Sequence, residues 1–202
     1  VAHGGGAYVS RTVAHGSANE KKLFAINRKL VKALQLERGA AHAEFIKSDA
    51  DGEFYFLEMA ARVGGAYIAD VLEAASGLNL WREWAQMEIA GGGKQGQEAS
   101  GRNQWQEAGA GEKTARDGQG SNKLKPLRNE YAGIVLSLSK QEDPDTSAYD
   151  DPEIVYRVKK NHHAGLIVRS RKLERVEELL TQYAARFADD FVAVVPPLEK
   201  AE

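Results

Sequence analysis

The sequence predicts an α+β protein built from antiparallel strands and helices. One observation is a β-hairpin signal, in which runs rich in aromatic and branched residues at 41–48 and 53–59 flank the turn residues Asp51 and Gly52. Another is the order of patterns after residue 130, where three strand-like runs precede a helical run and a final strand at 190–195. This order is typical of a small antiparallel sheet that packs on a helix.

The elements before and after the hairpin follow from local patterns. Residues 7–13 alternate in polarity, which predicts a strand. Ser17 and Glu20 form a capping-box pair, and the apolar residues that follow have helical spacing. Beyond the hairpin, the sequence predicts a helix over 67–75 and a third helix capped by Asn79, whose apolar stripe we interpret as core.

The composition changes after the third helix. Residues 91–126 are dominated by Gly, Gln, Ala, Glu and Lys, which leaves too few apolar groups to offset the entropy lost on ordering. We therefore predict a disordered insertion or linker at 91–128, with 94–122 as its most mobile part. In this division it separates a lobe at 1–90 from a small α+β domain at 129–197.

The overall composition restricts the functional classes. The chain has 202 residues, a formal net charge of −2 and no cysteine. That balance gives no reason to expect a nucleic-acid or membrane-surface partner, and it excludes disulfides and cysteine zinc sites. No apolar run approaches the ~18 residues of a membrane span, so the expected location is the cytoplasm. Because residue 1 is valine and a glycine run follows at once, we expect a fragment of a longer protein.

Glu44 and Glu58 stand on the two arms of the predicted hairpin. If the loop is the three residues 50–52, Glu44 lies directly opposite Glu58 on the same face. Directly opposed Cβ atoms lie only about 4.5–5.5 Å apart, and like charges there are destabilising. A cation between them removes that cost, and carboxylate oxygens suit Mg²⁺ or Mn²⁺. His42 shares this face and is either a neighbour of the metal or a buried, hydrogen-bonded histidine.

Two alternatives remain open from the sequence. A two-residue turn at Asp51 and Gly52 would place the glutamates on opposite faces and remove the metal site. The glutamates can also be unrelated acids on a solvated face. Phe54 and Phe56 argue against free solvation, since the three-residue loop puts them on the face of the glutamates.

The segment HAEFIKSDADGEFYFLEMAARVGG resembles the second half of an ATP-grasp domain, the nucleotide-binding unit of carboxylate–amine ligases and biotin carboxylase. By this resemblance, Glu44 and Glu58 match the two metal-binding glutamates. Arg62 matches an arginine that contacts phosphate or the substrate carboxylate. Ala60 stands where many members have a further ligand, asparagine, and this form is more similar to the L-amino-acid ligases.

The resemblance covers 1–90 and 130–197, and it implies the C-terminal lobe of an ATP-grasp fold followed by a small closing domain. It implies an ADP-forming ligase that uses ATP and Mg²⁺ or Mn²⁺ to activate a carboxylate as an acyl-phosphate, which an amine then attacks. ATP and small carboxylate and amine substrates are the implied partners, and a homodimer is left open. The family's nucleotide-gripping lysines lie outside this chain, so we expect the chain alone to be inactive. The alternative is a non-catalytic module of the same fold.

Three other motifs carry weaker signals. His3 and the glycines after it lack the G-x-S-x-G serine that an esterase oxyanion loop requires. Gly64 and Gly65 either offer amides to an anion ahead of the next helix or form a tight turn. His162 and His163 have no third ligand at metal spacing, so their turn is either solvated or a contact for phosphate or carboxylate.

Overall fold

The structure, a computed structural model, describes residues 6–91, 114–116 and 124–192. Within these ranges the α+β prediction is confirmed, because antiparallel strands and helices are both present. The strands are β1 (Tyr8–Arg11), β2 (His42–Lys47), β3 (Phe54–Ala60), β4 (Thr114–Arg116), β5 (Leu124–Pro126), β6 (Tyr131–Leu138), β7 (Ile154–Arg157) and β8 (His163–Ser170). The helices are α1 (Ala18–Ala33), α2 (Ile68–Ser76), α3 (Leu80–Gly91) and α4 (Leu173–Asp190). The glycine-rich start at His3 lies outside the described residues.

The described chain divides into two compact units. The sheet unit holds β1, residues 70–75 and residues 129–192, and its strands are ordered β1-β6-β8-β7 with every neighbour antiparallel. The hairpin unit holds residues 13–69 and 76–128, and it includes α1, the β2–β3 pair and α3.

The two central strands of the sheet unit read as continuous apolar runs because both of their faces are buried. Ile134 pairs with Ile167 on one face and Val135 pairs with Leu166 on the other, and all four are 0% exposed. Helix α4 packs on the second of these faces through side chains at helical spacing. Its buried residues are Val176, Leu179, Leu180, Tyr183 and Phe187.

Gly133 shows how closely helix and sheet approach each other. A Cβ atom at this position would lie 2.5 Å from Leu180 Cδ1 of α4 and 2.9 Å from the backbone oxygen of Ser10. No real side chain tolerates such distances, so glycine is required for α4 and β1 to pack against β6 at once.

Strand β1 belongs to the sheet unit, whereas the sequence analysis grouped it with residues 1–90. It pairs with β6 from Tyr8↔Leu136 to Arg11↔Gly133. Thr12 extends this pairing, since its backbone N–H donates to the Ala132 carbonyl at 2.9 Å. The Ala132 N–H in turn donates to the Thr12 hydroxyl at 3.2 Å. A strand that alternates in polarity carries no mark of its partner strand, so the sequence alone gives no pairing for β1.

The helices of the hairpin unit begin as the sequence predicts. The Ser17 hydroxyl accepts a hydrogen bond from the Glu20 N–H at 3.2 Å, and the Glu20 carboxylate accepts one from the Gly16 N–H at 2.6 Å. Asn79 Oδ1 likewise accepts a bond from the Arg82 N–H at 2.8 Å, which caps α3. Despite this regular start, α1 has no fully buried residue.

The predicted linker and the predicted last strand are described only in part. Within 91–128, the structure has the short antiparallel pair β4–β5, and most of the range 94–122 lies outside the described residues. At the other end, α4 continues to Asp190, and Val192 makes an isolated bridge with Ser139. Among the described helices, none is both long enough and apolar enough to cross a membrane.

Candidate metal site on the β2–β3 hairpin

Glu44 and Glu58 face each other across the β2–β3 hairpin. The strands are antiparallel and these two residues are direct partners, as the sequence predicts. Their Cβ atoms are therefore separated by about 4.5–5.5 Å, and two like charges meet at this point of the ladder. This pairing excludes the alternative in which the glutamates lie on opposite faces.

The pairing arises in a different way from the one predicted. The Ser48 N–H donates to the Glu53 carbonyl at 2.9 Å, so the loop contains the four residues 49–52 and not three. From that loop, Phe45 pairs with Phe56, and regular pairing would place Glu44 opposite Leu57. A β-bulge shifts the register between Glu44 and Phe45, which makes Leu57 the extra residue and restores the pairing with Glu58.

The observed pairing also changes which side chains share a face of the hairpin. Phe56 lies opposite Phe45 with ring centroids 5.8 Å apart, and Phe54 lies opposite Lys47. Because Phe45 and Glu44 are neighbours on a regular strand, they point to opposite faces. The prediction that Phe54 and Phe56 share the face of the glutamates is therefore wrong.

His42 is the closest partner of Glu44 on the glutamate face. Its Nδ1 lies 3.7 Å from Glu44 Oε1, and the His42 side chain is 20% exposed against 45% for Glu44. Gly64 lies next to the imidazole. A Cβ on Gly64 would lie 3.4 Å from His42 Cδ2 and 3.3 Å from Ile68 Cγ2. A side chain at 64 would therefore contact both residues, and Ile68 would have to shift by a few tenths of an ångström.

Arg62 lies in a turn and not on an extension of β3. The strand ends at Ala60, and the Arg62 N–H donates back to the Ala60 carbonyl at 2.9 Å. The prediction that 58, 60 and 62 share one strand face is wrong, because this turn breaks the alternation. The guanidinium is exposed and donates to the Val63 carbonyl at 3.2 Å. Its convergence with the glutamates stays a prediction.

The turn before α2 contains backbone strain that the sequence did not indicate. Ala66 and Tyr67 have φ values of 50° and 62°, a region that non-glycine residues seldom adopt. Each such residue costs on the order of 1–3 kcal/mol. The Ile68 N–H donates to the Gly65 carbonyl at 2.9 Å, which supports the tight-turn interpretation of Gly64 and Gly65. Neither alanine nor tyrosine marks a left-handed position, so no sequence signal was present.

The donor set at the glutamate pair suits one kind of metal site. Among the described residues, no group of three or more His, Cys, Asp or Glu side chains is arranged to hold a metal. Magnesium is commonly held by one or two carboxylates together with substrate phosphates, and two paired carboxylates meet that requirement. Glu44 and Glu58 therefore fit Mg²⁺ that arrives with a nucleotide, and they do not fit a cage made of protein ligands alone.

The two histidines of the sheet unit take part in a structural turn. His162 has a φ of 58°, and its N–H donates to the Glu142 carbonyl at 2.8 Å. Its own carbonyl accepts from the Ser139 N–H at 2.8 Å, and His163 Nδ1 lies 2.8 Å from the Asn161 carbonyl. These bonds attach the β7–β8 turn to residues 139–142. A phosphate or carboxylate contact at this turn stays a prediction.

Comparison with known proteins gives a fold and no sequence family. No protein-family model and no curated protein matches the sequence. A solved phosphoribosylglycinamide synthetase from Anaerococcus prevotii matches with a TM-score of 0.55 at 16% identity over 93% of this chain. An L-amino acid ligase from Bacillus licheniformis matches with a TM-score of 0.50 at 17% identity over 94%. Both are ATP-grasp ligases, and this chain spans 44% of the length of each. The chain has the fold of part of an ATP-grasp ligase.

Proposed function

We propose that this chain supplies the metal-binding hairpin of an ATP-dependent ligase that joins a small carboxylate to an amine. The observation that carries the proposal is the direct pairing of Glu44 with Glu58, which adjoins a bulge at Leu57. Bulges are common next to active sites, where they re-aim side chains. Two opposed carboxylates cost stability by themselves, so their retention is best explained by a bound cation.

In the proposed reaction, the substrate carboxylate attacks the γ-phosphorus of ATP, and ADP leaves. The amine then attacks the acyl-phosphate carbon, the new C–N bond forms, and phosphate leaves with loss of a proton from nitrogen. When bound, Mg²⁺ or Mn²⁺ neutralises charge on the β- and γ-phosphates. Glu44 and Glu58 hold that ion on one face of the hairpin. Arg62 orients the acyl-phosphate, because its planar guanidinium can donate two parallel hydrogen bonds.

Metal binding is tested on this chain by its melting temperature with and without Mn²⁺. We expect Mn²⁺ to raise the melting temperature, and we expect Glu44→Gln and Glu58→Gln each to abolish the rise, because a neutral amide is a weaker ligand. Glu37→Gln is the matched control, since Glu37 is exposed and lies outside the hairpin strands. An equal rise in all four proteins would place the metal elsewhere, and no rise in the wild type would contradict the metal site.

Carboxylate activation is tested in the full natural protein by trapping the acyl-phosphate with hydroxylamine. We expect ATP-dependent hydroxamate formation, and we expect its loss in Glu44→Gln and Glu58→Gln. Arg62→Lys should lower turnover far more than stability, because lysine keeps the charge but loses the bidentate fork. Equal turnover in the lysine variant would show that Arg62 only shapes the turn at Val63.

A second candidate is a non-catalytic module that binds nucleotide or metal. It is favoured by Ala60, which offers no ligand, and by the lack of a three-residue metal cluster among the described residues. Metal binding without any hydroxamate in the full protein would support this candidate over the ligase.

A further inference from the structure

On the face of the glutamates, the next pair of the hairpin ladder is His42 and Ala60. His42 lies directly opposite Ala60, and Glu44 lies directly opposite Glu58. Residues two apart on a strand share a face, so His42 stands beside Glu44 and Ala60 stands beside Glu58. An alanine has no atom beyond Cβ and forms no side-chain hydrogen bond. Of these two neighbours, His42 is therefore the one that can make a polar contact with a carboxylate.

The imidazole of His42 has different neighbours at its two edges. Its Nδ1 lies 3.7 Å from Glu44 Oε1, and its Cδ2 lies next to Gly64, where a Cβ atom would be 3.4 Å away. The side chain of His42 is 20% exposed. Within the described ranges, the Glu44 carboxylate is the polar group that this ring contacts. The ring therefore offers Nδ1 to Glu44.

The two glutamates differ in their surroundings. Glu44 has His42 beside it, whereas Glu58 is exposed and has no hydrogen bond or ion pair with any residue in the described ranges. The 3.7 Å contact is longer than a direct N–H···O hydrogen bond of about 2.9 Å, so a movement of less than about 1 Å at the end of the Glu44 side chain would close it. That side chain is 45% exposed, which leaves it room for this movement.

Carboxylates that bind a metal are commonly held by an outer hydrogen-bonding group, and loss of that group typically costs about 10–100-fold in metal affinity. We propose that His42 is this outer group, a positioning residue whose Nδ1–H holds one oxygen of Glu44 so that the other oxygen is presented to the ion. This inference rests on the proposed function, because it assigns a role within the same metal site.

A direct bond from the imidazole to the metal would be a different role with a different signature. In the described part of the chain, His42 and the two glutamates do not form a three-ligand metal cluster. Imidazole ligands suit transition metals, whereas Mg²⁺ prefers oxygen ligands. Loss of a ligand would therefore weaken Mn²⁺ binding more than Mg²⁺ binding, and loss of a positioning residue should weaken both by a similar factor.

The test is isothermal titration calorimetry of the chain with Mn²⁺ and, separately, with Mg²⁺. We expect His42→Leu to weaken the binding of both ions by about 10–100-fold. We expect His42→Asn to stay within about threefold of the wild type, because its amide N–H can replace Nδ1–H. His15→Leu is the matched control, since His15 Nδ1 lies 3.3 Å from Glu20 Oε1 in a histidine–glutamate pair outside the hairpin strands. It should bind both ions like the wild type.

The outcomes separate this inference from the proposed function. Wild-type affinity in His42→Leu, or an equal loss in the leucine and asparagine variants, would overturn the positioning role and leave the metal site intact. A loss confined to Mn²⁺ would make His42 a ligand and would also overturn it. No binding of either ion by the wild type would contradict the proposed function itself, and the inference with it. Metal-free melting curves check that each variant is folded, and His42→Ala replaces the leucine variant if that one does not fold.

Discussion

The sheet unit and the hairpin unit differ in how well each buries its own apolar side chains. The sheet unit contains the large side chains that are essentially fully buried, and Tyr149 and Phe187 are two of them. In the hairpin unit, Val63 and Ala69 are the buried apolar residues in the described ranges. Its large apolar residues are instead exposed, with Phe24 at 49%, Ile46 at 55% and Trp81 at 59%. The stable core and the candidate chemistry therefore lie in different units of the molecule.

This difference indicates what each unit contributes. A unit with a packed core holds its shape by itself, whereas a unit with exposed apolar faces gains stability when something covers them. The chain spans 44% of each matching ligase, so in those proteins further structure exists beyond the matched part. The following predictions test the contrast, beginning with the largest expected effect.

Truncation of a phenylalanine to alanine should lower the free energy of unfolding much more in the sheet unit than in the hairpin unit. Phe187→Ala removes a fully buried ring that contacts Tyr149 and Phe191, and it should lower the free energy of unfolding by about 3–5 kcal/mol. Phe24→Ala removes a half-exposed ring from α1 and should cost about 1 kcal/mol or less. Denaturant unfolding followed by circular dichroism measures both values. Similar costs would show that α1 is covered in solution.

High pH should destabilise the sheet unit through its buried tyrosines. Burial, followed by hydrogen bonds to Asp190 and Asp151, raises the pKa of Tyr149 and of Tyr183. A raised pKa means that stability is complete below the unfolded value of 10.0 and falls as the pH rises above it. Tyr149→Phe should make this alkaline loss shallower, because one of the two groups no longer ionises. Thermal melts between pH 9 and 11, approximately the range in which model tyrosine ionises, measure the slope.

Neutralising one glutamate of the pair should stabilise the fold, whereas neutralising one partner of an ordinary ion pair destabilises it. Without metal, Glu44→Gln removes a like-charge contact and should raise the free energy of unfolding by roughly 0.2–1 kcal/mol. With Mg²⁺ or Mn²⁺ present, that advantage should disappear. Denaturant melts with and without the ion measure the change, with Glu37→Gln as the control. A loss of stability without metal would mean that the 3.7 Å contact with His42 dominates at Glu44.

The smallest expected effect concerns the hairpin loop. Asp51 accepts hydrogen bonds from the Glu53 N–H at 2.9 Å and from the Tyr55 hydroxyl at 2.8 Å, and the first of these is the main cause that lowers the pKa of Asp51. The lowered pKa means that the stabilisation is present above the unfolded value of 3.8 and is lost as the pH falls below it. Asp51→Asn should therefore lower the melting temperature slightly at neutral pH and leave it unchanged in strong acid. An equal decrease at both pH values would assign the effect to the loop backbone.

Local patterns predicted the elements, and the errors lie in the loop length and strand faces of the hairpin and in the turn at Arg62. The caps at Ser17 and Asn79 were predictable, because each depends on residues close in sequence, whereas the pairing of Glu44 with Glu58 was predicted from a loop of the wrong length. The partner of β1 is some 120 residues away, and no local pattern encodes it. The bulge at Leu57 was hidden because β3 is aromatic or aliphatic at every position except Glu58, so no alternation marks the extra residue. The predicted loop was one residue short, and the bulge shifted the register by one residue in the compensating direction.

The bulge at Leu57 has a consequence for how the hairpin tolerates changes in length. If Leu57 were deleted, Phe56 would still pair with Phe45, and Glu58 would become the next residue in an unbroken ladder, again opposite Glu44. The carboxylates would keep their alignment, while the local twist that a bulge adds would be lost. Leu57 therefore acts as a spacer that sets the curvature of the hairpin and not the facing of its charges. A single deletion at this position would therefore change the curvature and leave the register of the charges unchanged.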